Sequence, residues 1–400
     1  MRCGVKKLKI LSLLLILTTV LSFCISCNKP TESYQKGLKM REEYIKFLNN
    51  KYKDYKEVPY GLDITKKTDL VGICYTTWFT ALYHGRENAP NITKILAGQE
   101  EWGRPYSYHW WAEPEVGFYK SDDKEVIRLH MMQLAEMGAD YIIIDNTNAT
   151  TGWKKSSSWD LYVSIPCAAI LDTIVEMRSE GLKTPYVVFW SAAGSNRGWS
   201  VTNATYEEFH TQEKWKDCFV YWEGKPFMLT TDIPEGKPDY EMTIKKQWGL
   251  NSSPETGVWT FLNINNPAVY DENGFIEQTC VATAAQETYM SLATAHGRNH
   301  GIFMYTQWYN AFKYRPKVIT ITWWNEWCAI MMMDNDGNRL FTDNYNQEFS
   351  RDIEPMKGGH GDQYYRWTMQ YIKAYKNLQP CPVLVEQGYR QEAIDSVILK

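Results

Sequence analysis

Short apolar runs that end in polar or aromatic residues recur along the chain. Residues 70–79, 141–144, 186–190, 227–230, 258–262, 280–283 and 318–322 each read as a buried strand. Residues 301–305 form a weaker candidate. Several of these runs are separated by apolar residues at helical spacing. Val126, Ile127, His130, Leu134 and Met137 share one face of a helix predicted over 124–137, capped by Ser121 or Asp122 and closed by Gly138. A second helix is predicted over 165–177, ended by Gly181 and Pro185, and a third over 362–376. Leu38, Ile45, Leu48 and Tyr52 mark a surface helix within 33–55. Helix, short loop and apolar strand in repetition imply a parallel α/β architecture. Seven clear strands and one weak one, with no glycine-rich phosphate loop after the first, fit a closed (β/α)8 TIM barrel better than an open sheet. No internal repeat or linker divides 56–400, which reads as a single domain.

The first residues stand apart from this pattern. Arg2, Lys6, Lys7 and Lys9 precede an apolar stretch at 10–23 that is short for a spanning helix. The segment resembles a bacterial lipoprotein signal peptide over 1–26, with Ser26 before Cys27 as the residue to be acylated. Cys24 after bulky Phe23 is the poorer candidate, and ordinary secretion with a cleaved peptide is the alternative. Residues 27–55 then form a polar tether, 28–37, and the surface helix. The expected location is the cell envelope, with the chain lipid-anchored to the outer membrane and monomeric.

Composition narrows the function. The net charge is -4 among 400 residues and no basic stripe occurs, which sets nucleic acid aside. The chain holds 17 Trp and 27 Tyr, amphipathic rings that suit sugar faces. Of nine cysteines, those beyond the signal are scattered singly, without zinc spacing, and are expected as buried free thiols. Asp334, Asn335, Asp336, Gly337 and Asn338 look like part of a calcium loop, but the distal Glu is absent, so a plain turn is favoured. No metal or cofactor is expected. His130 is read as a packed core histidine.

The candidate chemistry lies at the end of the last strand. Thr322 is followed by Trp323, Trp324, Asn325, Glu326 and Trp327. The carboxyl ends of parallel barrel strands are where chemistry is placed, and tryptophans there suit sugar rings. Glu326 is therefore a candidate in a carbohydrate site, the other reading being a buried Glu paired with an Arg. Asp145 stands at another strand end. The long aromatic stretch at 80–119 is expected to lie over the same face.

Two separated stretches resemble one family. Gly117, Phe118, Tyr119, Lys120, Ser121 and Asp122, then Val126, Ile127, Arg128, His130, Met131, Gly138 and the strand to Asp145, resemble the opening of glycoside hydrolase family 99, the endo-α-mannosidases and endo-α-mannanases. Asn325, Glu326 and Trp327, and later Ile353, Glu354 and Pro355, resemble that family's active-site segment. The matches bracket 117–355, and the wider resemblance is to family 71-like barrels and to lipoproteins of Bacteroidetes type. The resemblance implies a (β/α)8 barrel and a role for Glu326 as base toward the sugar 2-hydroxyl. It also implies a second Glu three residues on as general acid/base, and here that position is Ala329. The interval to Ile353 is longer than the family's, so the loop between is rebuilt. Glu348, six residues before Glu354, is expected to return to the missing place, with Asp352 as the fallback.

Glycoside hydrolysis needs one protonated carboxyl and one carboxylate, and Glu326 with Glu348 is the expected pair. Asp145, Asn325, Glu354, Trp78, Tyr119, Trp324 and Trp327 are expected to bind the oligo- or polysaccharide. For Glu354 a structural pairing with Arg351 is an equal alternative. Three readings stand: an exported hydrolase of an α-linked, mannose-containing glycan, a glycan-binding lipoprotein that has lost catalysis, and a structural lipoprotein. Ala329 favours the second, and the tryptophan-rich strand end disfavours the third.

Overall fold

The computed structural model describes residues 32–83, 89–149, 157–194, 196–250, 254–286, 294–341 and 346–398. The signal segment and Cys27 lie outside the described residues. The strands, in chain order, are β1 Leu62–Asp63, β2 Leu70–Tyr75, β3 Tyr108–Trp110, β4 Tyr141–Asn146, β5 Tyr186–Ser191, β6 Val220–Trp222, β7 Lys225–Thr230, β8 Thr243–Lys246, β9 Val269–Tyr270, β10 Ile276–Ala282, β11 Val318–Thr322, β12 Cys328–Met333 and β13 Arg339–Phe341.

A parallel sheet runs β8-β7-β5-β4-β2-β11-β10. Residues 258–262 sit between its two ends. On one side the Trp259 N–H donates to Lys246 O (2.8 Å), and Trp248 N–H donates to Trp259 O (2.8 Å). On the other side a side-chain amide takes the place of a ladder. Thr260 N–H donates to Gln278 Oε1 (3.0 Å), and Gln278 Nε2 donates to Thr260 O (2.7 Å). The molecule is thus a mixed α/β single domain around a parallel sheet, consistent with a (β/α)8 barrel.

The strands alternate between two cores, as a period of two requires. Leu70, Cys74, Tyr141, Ile143, Val188, Phe227, Leu229 and Val318 fill the interior. Val71, Ile73, Ile142, Ile144, Val187, Phe189, Ile319 and Ile321 face the surrounding helices. Those helices include Glu32–Lys51, Lys124–Met137, Ile165–Ser179, Ile302–Tyr314 and Gln363–Lys376. Among the described residues no helix is long and apolar enough to cross a membrane.

Four expectations need correction. Residues 302–305 open the helix Ile302–Tyr314, because Ile302, Tyr305, Trp308 and Phe312 continue at helical spacing on a buried face. The parallel-sheet strand missing from the sequence reading is β8, whose TIKK reads as surface. Lys245 instead turns to Glu277 (2.9 Å) and Lys246 to Asp232 (3.0 Å). The cap of Lys124–Met137 is Asp123, which accepts from Glu125 N–H (3.0 Å). Ser121 and Asp122 hold the segment after β2, accepting from Phe79 N–H (3.0 Å) and Thr80 Oγ1 (2.6 Å). Residues 32–37, expected as polar tether, belong to the helix Glu32–Lys51, which packs Gly37 against Lys313 O.

The remaining cysteines Cys74, Cys167, Cys218, Cys280, Cys328 and Cys381 are free thiols, all but Cys381 buried. Asp334 accepts the Asp336 (3.0 Å) and Asn338 (2.8 Å) N–H groups, so this segment turns the chain between β12 and β13.

Two histidines with buried ring nitrogens make folding pH-dependent. His210 is stacked on Phe219 at 4.1 Å, and His360 packs against Tyr364 at 4.8 Å. Burial pushes the His210 pKa down to about 3 and His360 to about 2. Both are neutral in the fold, whereas in the unfolded chain they take up protons near 6.5. Their contribution is therefore present above 6.5 and lost as the pH falls below it. The melting temperature should drop between pH 6.5 and 4.5, and His210→Phe should flatten that drop. Parallel curves for parent and variant would contradict this.

Candidate active site

A cleft of 530 Å³ opens among the carboxyl ends of the strands. Trp78, Asp145, Trp190, Thr231, Trp248, Phe261, Trp323 and Glu326 line it from the barrel. Tyr108, Cys328, Ala329 and Ile330 line it from a three-stranded sheet, β13-β12-β3. The long aromatic stretch supplies β3 of that wall, with Ala329 paired to His109. Its residues 84–88 lie outside the described residues.

Four aromatic side chains form one nest. Trp190 meets Phe261 at 5.0 Å, Trp323 at 6.3 Å and Trp248 at 6.4 Å, and Phe261 meets Trp248 at 5.8 Å. The sequence reading missed Trp190, Trp248, Phe261 and Trp323. Trp190 carried a usable signal, since it ends a strand with the inward parity of Val188.

Among the described residues that line the cleft, Asp145 and Glu326 are the two carboxylates. Asp145 ends β4 and accepts the Thr147 N–H (2.8 Å). Glu326 follows β11, two places away in the sheet order β4-β2-β11. It is buried and ion-paired with Arg351, itself fully buried and donating to Gln286 Oε1 (3.1 Å). Both readings of Glu326 thus meet in one residue, which faces the cleft and pairs with an arginine.

Residues 350–354 hold the 323–327 segment in place. Trp323 N–H donates to Arg351 O (3.3 Å), and Ile353 and Glu354 N–H donate to Trp324 O (3.2 and 3.0 Å). Asp352 accepts the Glu326 N–H and, at 2.5 Å, Trp111 Nε1. Burial raises the Asp352 pKa to about 7 against the hydrogen bonds from Trp111 and Glu326 that lower it. Asp352 is not among the residues that line the cleft, so it supports Glu326 from behind.

Glu354 is also buried behind the cleft. Its carboxylate accepts from Trp327 Nε1 (2.6 Å), Tyr119 OH (2.7 Å) and His130 Nε2 (3.0 Å). A carboxylate only accepts, so His130 carries a proton on Nε2, and its Nδ1 lies 2.8 Å from the Tyr75 hydroxyl. Arg351, the expected partner of Glu354, is on Glu326 instead.

The expected binding residues therefore divide. Trp78 and Asp145 line the cleft. Asn325 does not: its Oδ1 accepts Thr76 N–H (2.9 Å) and its Nδ2 donates to Tyr119 OH (3.1 Å), tying β11 to β2. Tyr119 is held between Asn325 and Glu354. Trp327 stacks on Trp111 at 4.7 Å, and Trp324 lies edge-on to His130 at 5.5 Å in the outer core. The inward alternation of β11 slips by one after Thr322, which sends Trp323 into the cleft and Trp324 out.

Glu348 is not brought to the cleft. It is exposed, and its Oε1 accepts the Asn299 N–H (2.8 Å) at the turn before Ile302–Tyr314. The Arg298 N–H fixes its backbone carbonyl (2.8 Å). The expected pairing with Glu326 is corrected accordingly: among the described residues Asp145 is the second carboxylate in the cleft, and Ala329 lines it as well. Among the described residues, no three His, Cys, Asp or Glu side chains are grouped to hold a metal ion.

No protein-family model matches the chain, and no curated protein matches its sequence. Among solved structures, the fold is similar to that of a glycoside hydrolase family 99 endo-α-mannosidase from Bacteroides thetaiotaomicron. The TM-score is 0.52 at 14% identity, over 78% of this chain and 98% of that chain. A structure of the family 99 endo-α-mannosidase from the same organism with bis-tris-propane gives 0.51 at 13% identity, over 77% and 98%. The chain has the fold of that enzyme nearly throughout the enzyme's length.

Proposed function

We propose that the chain is an exported glycoside hydrolase that cleaves an α-linked, mannose-containing glycan with Asp145 and Glu326. One observation carries the reading: two strand-end carboxylates share a cleft with a nest of tryptophans. The likeness in fold to an endo-α-mannosidase supports the choice of glycan. The cleft volume, 530 Å³, suits a small-molecule site, for which about 300–1,000 Å³ is usual.

Cleavage breaks the bond from the anomeric carbon to the bridging oxygen. The leaving oxygen takes a proton, and water adds at carbon. Glu326, ion-paired with Arg351, serves as the carboxylate. Asp145 is left as the proton donor. The indoles stack on the sugar and exclude water from around both groups.

A second reading, glycan binding without cleavage, is favoured by Ala329 and by the engagement of Glu326 with Arg351. The chain from residue 31 onward, incubated with α-mannans and high-mannose glycans, is expected to release new reducing ends. Binding without release would select the second reading. Neither binding nor release would remove the mannose-containing substrate.

The proposal also places the chain in the cell envelope, lipid-anchored to the outer membrane through Cys27. The charged-then-apolar opening of the sequence and the Ser26–Cys27 pair support this. Cells given labelled palmitate should label the parent and not Cys27→Ala. Undiminished label in the variant would count against Cys27.

A further inference from the structure

We propose that Arg197 reads an acidic substituent on the glycan, so that the cleft takes an anionic sugar chain in preference to its neutral counterpart. This rests on the glycan reading above and adds the chemical class of the substrate.

Among the described residues that line the cleft, the charged ones are Asp145, Glu326 and Arg197. The charge of Glu326 is matched from behind by Arg351. Arg197 is then the positive charge among the described residues that line the cleft. Tryptophan faces recognise sugar rings but do not separate a charged sugar from a neutral one. A guanidinium does, because its planar fork matches a carboxylate, sulfate or phosphate.

The side chain has donors to spare. Its hydrogen bond runs from NH1 to Thr147 O (3.3 Å), on the loop that also carries Asp145. A guanidinium has five N–H donors, and among the described residues this is the one contact they make, on an exposed side chain that lines the cleft. The acid packed against the Arg197 turn, Asp232, is engaged elsewhere. It pairs with Lys246 (3.0 Å) and accepts the Ile233 N–H (3.0 Å).

The backbone beneath Arg197 is fixed. Arg197 N–H donates to Gly194 O (2.9 Å), and Gly194 N–H donates to Gly198 O (3.2 Å). The Arg197 carbonyl accepts from Ser200 N–H (3.0 Å) and Ser200 Oγ (2.6 Å). The turn needs glycine at 194, where φ is +85° and an added Cβ would lie 2.7 Å from Asp232. The loop behind it is locked to β7, since Ala193 N–H donates to Thr231 Oγ1 (2.9 Å). A cation carried on a preformed turn loses little freedom on binding, which favours a specific contact over a wandering surface charge.

The test measures binding of the purified full chain to four probes by calorimetry. These are an α-linked mannotetraose and the same tetraose with one 6-phosphate, one 6-sulfate or one terminal 6-carboxylate. At least one acidic form is expected to bind at least ~10-fold tighter than the neutral one, with an advantage that shrinks as salt is added. The preferred form identifies the acid. Arg197→Gln should bring the acidic-to-neutral ratio to about one, and Arg197→Lys should keep part of it, since Lys offers charge without the fork. Equal binding of all four forms by the parent overturns the proposal and leaves the glycan reading standing. A preference that survives Arg197→Gln does the same. Binding of none of the four overturns both.

Discussion

Glu326→Gln is expected to lower kcat for glycan release by at least ~10²-fold, the low end of what one acid–base group contributes, with KM changed only a few-fold. The substitution keeps the shape of the side chain and removes its charge. The part-exposed rings of Trp78 and Trp248 remain, so substrate should still bind. The variant also leaves the buried Arg351 without its anion, although Gln286 Oε1 still accepts from it at 3.1 Å. Loss of one member of a buried ion pair costs about 3–5 kcal/mol, so the assay belongs well below the variant's melting temperature. Asp145→Asn should give a similar fall in kcat, since its Oδ1 can still accept the Thr147 N–H and keep the loop in place. Release at half the parental rate by Glu326→Gln would reduce Glu326 to the structural partner of Arg351.

Glu354→Ala is expected to destabilise the fold by ~3 kcal/mol or more. Three donors converge on this carboxylate, Trp327 Nε1, Tyr119 OH and His130 Nε2, and all three residues are buried. A buried donor left without its partner costs about 1–3 kcal/mol, and alanine leaves all three so. Glu354→Gln should cost less, because its amide oxygen can still accept. Urea titration checks both: the midpoint should fall in the order parent, Gln, Ala. An unchanged midpoint for Glu354→Ala would mean that the donors find other acceptors and that Glu354 does not organise the wall behind the cleft. Cleft geometry should suffer with stability, since Trp327 follows Glu326 directly in the chain.

Much of this arrangement can be read in the sequence. β2, β4, β5, β7 and β11 are apolar runs, and buried parallel strands must be. The helices Lys124–Met137 and Gln363–Lys376 show their buried faces as spacing. Glu326 and Asp145 stand where strand-end chemistry is expected. The errors have particular causes. β8 hides behind Lys245 and Lys246, whose charges are matched by Glu277 and Asp232, partners far away in sequence. Residues 258–262 lie between β8 and β10 through the Gln278 amide, which no periodicity reveals. The tryptophans at the end of β11 divide between cleft and core according to a slip in alternation, so Trp324 and Trp327 were expected at the substrate and Trp323 was missed. Glu348 was placed by its distance from Glu354 along the chain, and the fold uses that length of chain to set it on the Asn299 turn.

The central claim is that the tryptophan-walled cleft, with Asp145 and Glu326 on its floor, is where the glycan sits. The crystal structure of Glu326→Gln soaked with an α-linked mannan oligosaccharide tests it most directly. The expected result is a sugar in the cleft against Trp78 and Trp248, with a glycosidic oxygen within hydrogen-bonding reach of Asp145. An oligosaccharide bound elsewhere on the molecule, with the cleft unoccupied, would contradict it.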